Sequence, residues 1–202
     1  MLEARNIMYK YADHHPWVLR NANLSIAKGE VVGLFGPSGQ GKTTLGKILG
    51  GFLIPTSGEV LLDQGRLPKK GYCPVQMIFQ HPETALNPRW HMMNTLEEAG
   101  PISEYAIRSF LVEKEWMDRR PYELSGGELQ RVAIARALRP ETRYIIADEI
   151  TTMLDALTQS LLWNMVLSFV KTHHAGVLVI SHDAGLMERI CDRIMDMADI
   201  QT

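Results

Sequence analysis

The run Gly36-Pro37-Ser38-Gly39-Gln40-Gly41-Lys42-Thr43 fits the spacing GxxxxGK[ST]. Glycines at such positions let consecutive backbone N–H groups curl around phosphate oxygens. Lys42 supplies a point charge for the β and γ phosphates, and the Thr43 hydroxyl is a hard oxygen suited to Mg2+. A helix expected from Thr43, with Thr44 in its first turn, aims its N-terminus at the same phosphates. The second element is Tyr144-Ile145-Ile146-Ala147-Asp148-Glu149, an apolar run ending in two carboxylates. Asp148 is placed to hold Mg2+ through water, and Glu149 to polarise a water attacking the γ phosphate. The plainer alternative is a strand ending in two solvated acids. The third is Leu124-Ser125-Gly126-Gly127-Glu128, which opens a helical run through Leu138. Ser125 and Glu128 make an S-x-x-E capping box, and the bare glycines leave the helix N-terminus open to an anion.

These groups need elements to carry them. Glu30–Phe35, Val60–Leu62, Val75–Phe79, Tyr144–Ala147 and Val177–Ile180 read as short apolar strands. Thr43–Leu49 reads as a helix stopped by Gly50-Gly51. Between the last two strands, residues 155–170 place Leu157, Leu161, Leu162, Met165, Val166 and Phe169 on one face at helical spacing. Apolar strands alternating with helices imply an α/β fold with a parallel sheet covered on both faces. From His81 to Pro140 the β-branched runs disappear, which suggests an inserted helical lobe.

Composition narrows the class further. A chain of 202 residues with 46% hydrophobic and 22% charged residues is an ordinary globule of one domain. A net charge of −2 argues against a strongly basic nucleic-acid binder, so no nucleic-acid partner is expected. No apolar stretch approaches the roughly 18 residues of a membrane span. The start, Met1-Leu2-Glu3-Ala4-Arg5, has an early acid and no apolar run behind it, so a signal peptide is not expected. Cys73 and Cys191 are too far apart for a CxxC pair and are expected to be buried, reduced thiols. His14-His15 and His173-His174 are expected to be solvated loop residues rather than metal ligands.

Taken with the order of the other motifs, Leu124–Glu128 followed by Leu129-Gln130-Arg131 resembles the signature of the ABC ATPases, and the resemblance covers essentially the whole chain. It implies a P-loop NTPase with a mainly parallel central sheet, a small antiparallel N-terminal β portion and an inserted helical lobe. Residues 1–80 and 141–202 would form a RecA-like core, and 81–140 the helical subdomain. It implies ATP and Mg2+ as cofactors, with Gly36, Pro37, Ser38, Gly39, Gln40, Gly41, Lys42, Thr43 and Thr44 holding the phosphates. Tyr11, or less directly Tyr9, would stack on adenine. Gln80 would reach Mg2+ and the attacking water, and His182, in Ile180-Ser181-His182-Asp183, would sense the γ phosphate. Met153-Leu154-Asp155 resembles the D-loop.

Two ATPase subunits, alike or different, would pair head to tail, so that Ser125, Gly126 and Gly127 of one cover ATP on the other. Catalysis would rest on Glu149, His182, Lys42 and Gln80, and Thr43, Gln80 and Asp148 would hold the metal. The stretch Leu86-Asn87-Pro88-Arg89 after Gln80 is similar to that of oligopeptide, dipeptide and nickel importer ATPases. Integral-membrane permeases and a solute-binding protein are then the expected partners. The expected location is cytoplasmic, peripheral on the inner face of the membrane. A soluble ABC ATPase that remodels a protein or nucleic-acid complex is the alternative. Two departures stand out: Ile150 where proline is common, and Thr-Met-Leu-Asp where Ser-Ala-Leu-Asp is usual.

Overall fold

The computed structural model describes residues 1–102, 104–152 and 154–201, with only the backbone of 105 and 106. The chain opens with β1 (Leu2–Tyr9), β2 (Leu19–Ile26), β3 (Val31–Phe35) and α1 (Lys42–Leu49). β4 (Ser57–Leu62), β5 (Gly65–Arg66) and β6 (Val75–Ile78) follow. Helical elements then dominate, namely α2 (Met92–Leu96), α3 (Glu104–Ser109) and α4 (Gly126–Ala137), with single 3-10 turns among them. The last part alternates β7 (Tyr144–Asp148), α5 (Ala156–His173), β8 (Gly176–Ile180), α6 (Ala184–Ile190) and β9 (Arg193–Asp196).

Two sheets result. The first is antiparallel with order β2-β1-β4-β5, and the second has order β6-β7-β8-β3-β9. Every pairing in the second is parallel, with Val31 opposite Val177, Ile145 opposite Val177 and Val75 opposite Tyr144. Parallel strands need crossovers, and the helices supply them while covering both faces. Alternate strand residues therefore enter different cores. Ile145, Ala147, Val177 and Val179 pack with α4 and α5, whereas Tyr144, Ile146, Leu178 and Ile180 pack with α1 and the antiparallel sheet. Among the described residues, no helix is long and apolar enough to cross a membrane.

The expected strands and the P-loop helix are present, with ends moved by a residue or more. Three readings are corrected. Leu162, Met165, Val166 and Phe169 of α5 are buried, but Leu157 is 85% exposed and Leu161 38%. The apolar stripe has the right period, but its N-terminal members are left uncovered, since periodicity gives the direction of a face and not what packs on it. Trp163, outside that stripe, is buried instead. Both cysteines are free and half-buried rather than buried, and burial pushes the Cys191 thiol up to about 12. His173 is exposed but is the last residue of α5 rather than a loop residue, and its ring stacks on Phe169 with centroids 4.1 Å apart.

Gly58 marks a tight crossing of the antiparallel sheet. It has φ +86°, and a Cβ there would lie 2.4 Å from the Asn6 carbonyl oxygen, against backbone that cannot give way. Gly58→Ala is expected to destabilise the fold by about 3 kcal/mol, read as a fall in Tm on the order of 10 °C in a thermal scan.

Candidate active site

Strands β6, β7, β8 and β3 are neighbours, so their C-terminal ends bring Gln80, Asp148-Glu149, His182 and the loop 36–43 to one rim. In open parallel sheets this rim is where ligands bind.

The loop after β3 is shaped by glycine. Gly41 has φ +95°, and a Cβ would lie 2.8 Å from Leu19 Cδ2 and 3.0 Å from the Val18 carbonyl oxygen. Gly36 has φ +144°, and a Cβ would lie 2.6 Å from Gln40 Oε1. α1 begins directly after Gly41, and among the described residues no side chain caps it. Its first N–H groups therefore remain to meet an anion. Lys42 Nζ is buried and donates to the carbonyls of Gly36 at 2.6 Å and Pro37 at 2.9 Å. An ammonium has three donors, which leaves one for a phosphate oxygen.

Thr43 Oγ1 donates to Asp148 Oδ1 at 3.0 Å. Asp148 is 4% exposed. Burial pushes its carboxyl up, the Thr43 hydroxyl draws it down, and Glu149 pushes it up again. A buried carboxylate beside a hydroxyl is a hard-oxygen set that fits Mg2+, and a divalent cation would offset the desolvation of Asp148. With the Gln80 amide oxygen, these are the residues that would hold it.

Glu149 sits just past β7 at φ +48°, and its N–H donates to the Ile180 carbonyl at 2.9 Å. Gln80 Nε2 donates to Glu149 Oε2 at 3.1 Å. His182 Nδ1 lies 3.5 Å from the same oxygen. Residues separated by more than a hundred positions, as Gln80 and His182 are, thus meet on one carboxylate. His182 is itself framed by its neighbours. Asp183 N donates to Ser181 Oγ at 3.0 Å, and Asp183 Oδ1 accepts from Leu186 N at 2.9 Å to cap α6.

Tyr9 is buried, whereas Tyr11 is 57% exposed and exchanges a 3.0 Å hydrogen bond between its hydroxyl and Thr44 Oγ1. Of the two rings expected to meet adenine, only that of Tyr11 offers a free face beside α1.

Ser125, Gly126, Gly127 and Asp155 form a second group. The capping box is present: Ser125 N donates to Glu128 Oε2 at 2.7 Å, and Glu128 N to Ser125 Oγ at 3.4 Å. The Ser125 N–H holds the Glu128 carboxyl below its ordinary value. Among the described residues, no atom beyond the adjoining chain lies within 4 Å of a Cβ built on Gly126, so this N-terminus is open. Asp155 caps α5 by accepting from Leu157 N and Thr158 N, both at 3.0 Å. Among the described residues, no hydrogen bond joins this group to the loop 36–43 or to Glu149. Met153, between them, lies outside the described residues.

Sequence reading missed three supports. Gln130, buried in α4, donates to the Phe79 carbonyl at 3.4 Å, just before Gln80. Thr151 Oγ1 accepts from Gln159 Nε2 and Trp163 Nε1, both at 3.2 Å. Thr152 Oγ1 donates to the Glu149 carbonyl at 2.9 Å. None has a spacing signature, although Asp155 and Asp183 carried an N-cap signal, a short acid immediately before a helix.

A parallel sheet with this glycine loop, its lysine and a buried carboxylate beside Thr43 defines a nucleoside-triphosphate phosphate site. The comparisons give the particular family. The ABC transporter family matches residues 19–152. The nickel import system ATP-binding protein NikE of Staphylococcus aureus, strains bovine RF122 / ET3-1 and USA300, is 33% identical over 213 aligned positions, spanning 98% of this chain and 87% of the relative. The dimeric structure of MJ0796, a bacterial ABC transporter cassette, superimposes with a TM-score of 0.82 at 28% identity, covering 97% of this chain and 94% of that one. The same cassette in a post-hydrolysis state bound to ADP and Pi gives 0.81 at 28% identity, over the same 97% and 94%. The chain belongs to the ABC transporter family. It is an ABC-type ATP hydrolase, using ATP with Mg2+.

Proposed function

We propose that this chain is the ATP-hydrolysing subunit of an importer that takes up nickel or a nickel complex through separate integral-membrane subunits. The convergence of Gln80 and His182 on Glu149 carries the hydrolytic part of this reading. The NikE relatives and the stretch Leu86–Arg89 support the cargo, with peptides as the competing class. The chain would work on the inner face of the membrane, with a solute-binding protein outside. Residues 1–80 and 141–202 would form the core and 81–140 the helical subdomain, in keeping with the absence of a described strand between β6 and β7.

In this reading the loop 36–44 wraps the phosphates and Tyr11 stacks on adenine. Lys42 and His182 stabilise charge on the transferring phosphoryl group. Bound Mg2+ would supply charge neutralisation on the β and γ phosphates. Glu149 takes a proton from water as the water oxygen attacks the γ phosphorus and the bond to the β-phosphate oxygen breaks. A second ATPase subunit, a copy or a different chain, presents its Ser125–Gly127 across that ATP, with Asp155 at the shared boundary. Gln80 and the helical subdomain carry opening and closure to the membrane subunits.

Uptake by cells lacking the gene tests the reading. Wild-type protein, and not Glu149→Gln, is expected to restore nickel accumulation. It is also expected to co-purify with membrane proteins. Restored peptide uptake with unchanged nickel uptake would overturn the cargo, and absence of any membrane protein would favour a soluble remodelling ATPase.

A further inference from the structure

We propose that Thr152 is a positioning residue for Glu149, holding its backbone in the left-handed conformation that turns the carboxylate toward Gln80 and His182. The proposal rests on Glu149 being the group that takes the proton from water.

β7 ends at Asp148, and the chain must turn at once. Glu149 does this at φ +48°, a conformation that an L residue with a long side chain adopts only when its surroundings hold it there. Three bonds do so, one on its N–H and two on its carbonyl. The Glu149 N–H donates to the Ile180 carbonyl of β8 at 2.9 Å. The Glu149 carbonyl accepts from Thr152 Oγ1 at 2.9 Å and from Thr152 N at 3.3 Å. The same hydroxyl lies 3.4 Å from Glu149 Oε2. A hydroxyl carries one proton, so the shorter bond, to the carbonyl, is its main one. Thr152 therefore acts chiefly on the turn and secondarily on the carboxylate.

The turn has its own anchor. Thr151 is buried, and its Oγ1 accepts from Gln159 and Trp163 of α5. Two consecutive threonines thus work in series, Thr151 tying the turn to α5 and Thr152 tying it to Glu149. Gln80 Nε2, Thr152 Oγ1 and His182 Nδ1 all approach Oε2, at 3.1, 3.4 and 3.5 Å. Among the described residues, Oε1 is the oxygen left to take the proton. Thr152, Glu149 and His182 also line one polar cavity of about 120 Å³, large enough to hold water beside the Glu149 side chain.

The test compares Thr152→Val, Thr152→Ser, Glu149→Gln and the Thr152→Val/Glu149→Gln pair, in the assembly in which the protein turns over ATP. Valine keeps the branched shape and removes the hydroxyl; serine keeps the hydroxyl. Thr152→Val is expected to lower kcat about tenfold with KM for ATP and Tm unchanged, and Thr152→Ser to restore it. In the Glu149→Gln background Thr152→Val is expected to have no further effect, because it acts through the residue already removed. An unchanged kcat in Thr152→Val would overturn the proposal. So would a parallel fall in Tm that serine does not rescue, or a loss that multiplies with that of Glu149→Gln. Wild-type turnover in Glu149→Gln would instead overturn the assignment of Glu149 itself, and is read separately.

Discussion

Glu149→Gln is expected to lower ATP turnover by about a thousandfold, roughly 4 kcal/mol in the barrier, while ATP binding stays as in the wild type. The amide keeps the length of the side chain, so the turn at φ +48° and the contacts with Gln80 and His182 need not change. It cannot take a proton from water. In the proposed arrangement the phosphate contacts would lie elsewhere, on the glycine loop, Lys42 and the start of α1, so binding would not depend on this carboxylate. Phosphate release and equilibrium nucleotide binding, measured on the same preparation, separate the two effects. Turnover within a few fold of wild type would show that another group activates the water.

Ser125→Arg is expected to reduce turnover at least a hundredfold, with ATP affinity of the single chain unchanged. Ser125 caps α4, and Gly126 beside it faces open space. It is not hydrogen-bonded to the chain's own P-loop among the described residues, so a bulky cation there leaves the local ATP contacts alone. It would instead fill the space in which a second subunit's phosphates should sit. Loss of ATP binding by the isolated chain would contradict that arrangement. Part of any stability change would come from the cap itself, about 1 kcal/mol, which a thermal scan would read independently.

Why some of this was legible in the sequence and some was not has a physical explanation. Asp148, Glu149, Gln80 and His182 stand at or just past strand ends, and Lys42 and Thr43 open the helix that follows the glycine loop, where chemistry dictates both the residue type and its place after an apolar run. The S-x-x-E box at Ser125 was equally legible, because a helix start must satisfy its own N–H groups, and the structure forms both of its bonds. The first turn of α5 misled because periodicity reports the direction of a face and not what covers it. Leu157 shares the stripe of Leu161 and Met165, yet is 85% exposed. Tyr9 and Tyr11 could not be separated by spacing; burial of one ring and exposure of the other separates them. Thr151, Thr152 and Gln130 act through single hydrogen bonds to backbone or to one side chain, and such bonds leave no pattern along the chain. Their partners are known only once β7, β8, α4 and α5 are packed.

The most direct test of a site divided between two subunits is native mass spectrometry of the Glu149→Gln protein with Mg2+ and ATP, alone and with the Ser125→Arg change added. The account predicts an ATP-dependent species holding two cassettes, this 22.8 kDa chain with a copy of itself or with a second ATPase chain, and two nucleotides. It predicts a single cassette retaining one ATP once Ser125 is arginine. A Glu149→Gln protein that binds ATP and stays a single cassette, or pairs equally well with arginine at position 125, would contradict it.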